Sequence, residues 1–176
     1  MYQKIIVNII LIFVVVIMQL SFLNGLPAKL NNLNLILIIL VFILVLFGLD
    51  IAAWWTVGIG LLLDIFSFMP FGIYLVSLSL TIIITNFLLI NFFTNRSLYS
   101  FLALVSIATL IYAVLLTCLS YFVNLLGIKE TALVINKNFW LIKFYQLILN
   151  LIITTTIFYL INFISKKLRP VFLLRR

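Results

Sequence analysis

Asp50, Asp64 and Glu130 are the only carboxylates in the chain, which has no histidine and a single cysteine, Cys118. That inventory excludes an imidazole general base, a Cys-His nucleophile pair and zinc sites of the usual ligand sets. The three carboxylates are spread over almost half of the sequence, so paired acid-base work would need the fold to bring distant positions together. Side-chain catalysis is therefore not expected, nor is a cofactor or metal site. The densest local signal is the segment GIGLLLDIFSFMPFG, which holds Gly58, Gly60, Asp64, Ser67, Pro70 and Gly72. Asp64 interrupts an apolar run, and an ionised carboxylate inside lipid costs at least ~2.5 kcal/mol, so it should face protein and find partners. Ser67, three residues on, shares its helix face and is placed to donate to the carboxylate. Gly58 and Gly60 allow a neighbouring helix close approach, and Pro70-Phe71-Gly72 has the composition of a tight reversal. Two chemistries fit Asp64: a packed polar helix junction, or an ion- or proton-coupling carboxylate. Coupling usually recruits further buried ionisable groups, and none is expected in the other apolar runs, where Lys143 can snorkel back to the nearby interface; this favours the structural role.

The elements that must position these residues follow from composition. Of the 176 residues 67% are hydrophobic and 8% charged, with a mean hydropathy of +1.44, whereas soluble domains carry roughly 25% charge. The medium is lipid, and six apolar runs divide the chain at about 5–23, 33–48, 54–69, 73–93, 98–123 and 139–164. Each approaches the roughly 20 residues a helical span requires. Continuous rather than alternating hydrophobicity predicts helices, not a barrel. The expected architecture is an all-α, polytopic, single bundle of six transmembrane helices occupying 1–176. The first run lacks a small-residue cleavage pattern and is expected to be retained.

Trp54 and Trp55 suit the headgroup level and mark the expected start of the third span. Asn86, Asn91, Asn150, Asn162 and Thr154-Thr155-Thr156 are candidates for hydrogen bonds between helices. The net charge of +8 would suggest nucleic acid in a soluble domain, but five of the eleven basic residues are the tail group Lys166, Lys167, Arg169, Arg175 and Arg176. That tail reads as a topology determinant attracted to anionic lipid, and no nucleic-acid partner is expected. With Lys4 and Arg96 it places seven basic residues on the side of both termini, against Lys29, Lys129, Lys137 and Lys143 on the other. Both termini are then cytoplasmic by the positive-inside rule.

In length, span pattern and the residues Gly58 through Gly72, the chain resembles the bacterial rod shape-determining MreD family. Asn31-Asn32-Leu33-Asn34 before the second span and the basic tail extend the likeness. Pro27 stands several residues earlier than the family's usual proline, and the connection before Trp54 lacks basic residues often found there. The resemblance implies a non-enzymatic scaffold of the cell-elongation machinery in the bacterial cytoplasmic membrane. It implies partnership with a single-span MreC-like protein and, directly or indirectly, with the MreB filament, RodA and a penicillin-binding transpeptidase. The family is similar in fold to the substrate-binding subunits of energy-coupling-factor vitamin transporters, which gives an alternative reading. Against it, Ile5 to Leu23 has no Ala or Gly for docking a coupling partner, and the stretches 24–32 and 70–72 offer few convergent polar groups.

Overall fold

The computed structural model describes the backbone of residues 2–23, 25, 31–67, 69–93, 97–125 and 137–173, and side chains over a slightly narrower set. The described residues form helices α1 (Tyr2–Ile17), α2 (Leu35–Phe47), α3 (Leu49–Phe66), α4 (Ile73–Asn91), α5 (Leu98–Leu125) and α6 (Lys137–Leu173), with no strand among them. α1 continues as a π-helical turn, Met18–Leu23. Four segments are long and apolar enough to cross a membrane: Leu49–Phe66, Ile73–Asn91, Leu98–Leu125 and Trp140–Phe163. The apolar stretches Ile6–Ser21 and Leu35–Phe47 are shorter. The lysines and arginines of the tail, together with Lys4, Lys29, Arg96, Lys129 and Lys137, have side chains outside the described residues.

α2 is the hub. It packs against each of the other five helices, and nearly every side chain from Ile36 to Val45 is buried. A helix hydrophobic all round belongs inside a bundle rather than at its rim. Phe42 of α2 stacks on Phe101 of α5 with ring centroids 4.7 Å apart, and Phe101 meets Phe158 of α6 at 5.5 Å. α4 turns a different face inward: Ser77, Thr81 and Thr85 are buried, and each hydroxyl donates to the carbonyl four residues earlier, on Ile73, Ser77 and Thr81. Small, internally satisfied side chains let neighbouring backbones come close at no cost in unpaired polar groups.

The third helix begins at Leu49, five residues before the tryptophans expected to open it. Gly48 is the reason. With φ 91° and ψ 177° it occupies a region essentially restricted to glycine, so the chain ends α2 and starts α3 with no intervening loop. Gly48 N–H still donates to Leu44 at 3.0 Å, and its carbonyl accepts from Ala52 at 3.2 Å. Trp54 therefore lies within α3, 78% exposed on its outer face, while Trp55 is half-buried against the core. Nothing stands within 4 Å of where a Cβ on Gly48 would be, so a substitution there meets a backbone penalty alone. Gly48→Ala is expected to lower stability by ~1–3 kcal/mol, read as a reduced unfolding temperature of the detergent-solubilised protein; unchanged stability would refute the conformational assignment.

Candidate functional site

The reversal between α3 and α4 is built around one carboxyl group. Gly72 is the N-cap of α4 and has no side chain to satisfy the first backbone N–H groups of that helix. Asp64, two residues before the end of α3 and only 4% exposed, supplies them from outside. Its Oδ1 accepts from Tyr74 N–H at 2.9 Å and its Oδ2 from Leu75 N–H at 3.1 Å. These are the second and third residues of α4, where an N-cap side chain would bond, and an acceptor at a helix N-terminus also meets the positive end of the helix dipole. Two helices are thereby locked together at one end by a single side chain.

The other residues of the segment divide by neighbour. A Cβ on Gly60 would lie 2.8 Å from Leu75 Cα, so α3 and α4 touch backbone to backbone there. Gly58 instead faces α1, where a Cβ would meet the Ile12 side chain at 3.1 Å. Ser67 does not donate to the Asp64 carboxyl as its spacing predicts; it ends α3 in an extended conformation and its Oγ reaches the Asp64 backbone carbonyl at 3.5 Å. The helix stops before Ser67 can present its hydroxyl to the same face. Pro70 O accepts from Ile73 N–H at 3.4 Å, and Gly72 adopts the left-handed conformation with φ 98°.

A second N-terminus is capped by imported groups. α2 rises only about 20 Å, against a hydrocarbon core of about 30 Å, and its first residues lie beside the middle of α5 and α6. Asn34 caps its own helix through Oδ1, which accepts from Leu37 N–H at 3.1 Å. Asn34 N–H donates to Asn150 Oδ1 at 3.1 Å, and Asn150 Nδ2 donates to Thr109 Oγ1 at 3.1 Å. Gln19, in the π-helical turn, pairs like a strand edge: its Nε2 donates to Leu33 O and its Oε1 accepts from Leu35 N–H, both at 2.9 Å. Non-helical backbone at such depth is tolerated where protein encloses it or where it lines a cavity.

Here it does both. The segment Asn31–Asn34 forms one wall of a cavity of about 300 Å³ whose other walls include Gln19, Ser67, Tyr74, Tyr112, Lys143 and Gln146. Lys143 Nζ donates to Gln146 Oε1 at 3.1 Å. Of the stretches 24–32 and 70–72, expected to offer few convergent polar groups, only Asn31 and Asn32 line the cavity among the described residues, and the fold gathers further amides, phenols, a hydroxyl and an ammonium from elsewhere at one end of the bundle. They come from the late part of α1, α3 and α5 and the early part of α2, α4 and α6. Polar residues inside apolar runs are the only trace of this in the sequence. Of those singled out as interhelical donors, Asn150 bridges helices, whereas Asn91, Thr154, Thr155 and Thr156 donate to carbonyls of their own helices.

Replacing Asp64 with Leu leaves the part-buried Tyr74 and Leu75 N–H groups without that acceptor, each costing up to ~1–3 kcal/mol. Asp64→Leu is therefore expected to reduce thermal stability more than Asp64→Asn, which keeps one acceptor oxygen. Gly60→Ala is expected to destabilise more than Gly58→Ala, because backbone yields less readily than the tip of Ile12. Unfolding curves of the four purified variants test both orderings, and equal effects within either pair would contradict the packing described.

Comparison with family models, curated proteins and solved structures finds no match to this chain.

Proposed function

We propose that the chain is a six-span scaffold of the bacterial cell-elongation machinery, of MreD type, embedded in the cytoplasmic membrane with both termini inside. The observation that carries this reading is the form taken by the segment of closest resemblance. Gly60 meets α4 at its backbone, Asp64 caps α4 and Gly58 receives a side chain of α1, so the segment serves helix packing. A bundle fixed in this way offers a rigid surface on which the membrane anchor of an MreC-like partner can rest. Close packing and interhelical hydrogen bonds would supply the affinity, since lipid gives little apolar driving force between helices. Through that partner the scaffold would couple the MreB filament to RodA and the transpeptidase. The clustering of the late parts of α1, α3 and α5 with the early parts of α2, α4 and α6 around one cavity supports an up-and-down course for the six helices.

The cavity itself favours a second reading, the substrate-binding subunit of an energy-coupling-factor transporter, which needs convergent polar groups at one end of the bundle. Depletion in the host separates the two. Rounded cells and loss of a co-purifying single-span partner are expected for the scaffold; normal shape with co-purifying ATPase subunits would assign the transporter. The topology is tested in a Cys118→Ser background, where an impermeant thiol probe is expected to label Lys129→Cys from outside and to miss Arg96→Cys. The reverse labelling would invert the orientation.

A further inference from the structure

Lys143 stands on the seam between two recesses of opposite character. On one side is the polar cavity already described. On the other, a groove of about 190 Å³ runs between α5 and α6, lined by Leu110, Ala113, Val114, Trp140, Phe144 and Leu147, with Thr117 at one edge. Leu110, Val114, Trp140 and Phe144 are exposed, so this groove opens on the outer face of the bundle, where a membrane protein meets acyl chains. Lys143 lines both recesses. None of the cavity-lining side chains is a carboxylate among the described residues.

A cation at the junction of an apolar groove and a polar cavity has the layout of a site for an anionic amphiphile. The groove accepts a chain that water rejects, the ammonium faces the negative group, and the amides and phenols beyond offer hydrogen bonds to hydroxyls. The cavity volume is that of about ten water-sized groups, the scale of a phosphate ester carrying a short polyol. Basic pockets between transmembrane helices on the cytoplasmic side bind anionic headgroups by this combination of charge and shape, and the same physics acts at the outer end, where Lys143 stands in the proposed orientation. We infer that Lys143, with the α5–α6 groove and the polar cavity, forms a binding site for one anionic phospholipid whose headgroup enters the cavity and whose acyl chain occupies the groove. The inference requires only that the bundle is embedded in a membrane and is independent of the scaffold reading.

The test is lipid retention by the purified full-length protein, followed by native mass spectrometry with phosphatidylglycerol and phosphatidylcholine offered together. Wild type is expected to prefer phosphatidylglycerol about fivefold, the ratio equivalent to ~1 kcal/mol for one lysine facing an anionic lipid. Lys143→Gln should abolish the preference and Lys143→Arg should keep it, with both variants required to elute as wild type on size exclusion. Ala113→Trp, which fills the groove, should reduce retention of both lipids. Neutralising the tail with Lys166→Gln, Lys167→Gln, Arg169→Gln, Arg175→Gln and Arg176→Gln should leave the preference intact. Persistence of the preference in Lys143→Gln, or its loss only when the tail is neutralised, would overturn the site. Displacement of the lipid by soluble glycerol phosphate at equal concentration would also overturn it, by showing that the cavity takes a free anion without an acyl chain.

Discussion

A helix whose first N–H groups turn into a bundle must find acceptors for them among its neighbours, and in this chain two helices begin in that way. α4 is served by Asp64 of the preceding helix, and α2 by Gln19, Asn150 and its own Asn34. Unpaired backbone groups in hydrocarbon cost several kcal/mol each, so these few polar side chains govern more of the architecture than the far larger number of apolar ones. Apolar contacts make the bundle compact but are interchangeable; the capping bonds fix which helix end lies beside which.

Capping also explains why the fold contains a cavity. Because its N-terminus is satisfied at depth, α2 need not extend through the full thickness of its neighbours, and the residues Asn31–Asn34 that precede it leave space rather than a further helical turn. Stability and site share one device: the amides that cap α2 lie beside the amides, phenols and ammonium that line the cavity. Gly48 contributes at the opposite end, where its positive φ turns α2 directly into α3 and lets the short central helix stay enclosed.

Much of the helical content was legible in the sequence, since long and predominantly apolar runs have few physical outcomes in lipid, and Asp64 with its glycines stood out because a carboxylate and small residues inside such a run demand a neighbour. The details legible from spacing were less secure. Ser67 shares a helix face with Asp64 only if the helix continues, and it ends one residue too soon. Trp54 and Trp55 signal an interface in general terms, but the start of α3 was set by the dihedral freedom of Gly48, whose φ no residue pattern states.

By itself the sequence determined the medium, the helical class and the positions at which a polar group would need a partner, because composition and one-dimensional periodicity act locally along the chain. The partners were decided by tertiary structure. Asn34, Thr109 and Asn150, and likewise Gln19 and Leu33, are far apart in sequence, and a single hydrogen bond between helices leaves no spacing signature. The same holds for Lys143, which reads as a snorkelling lysine until the packing of α5 on α6 sets a polar cavity on one side of it and an apolar groove on the other. A site made of single residues from six helices exists only when those helices are assembled, since its walls are distances between elements rather than properties of any one of them.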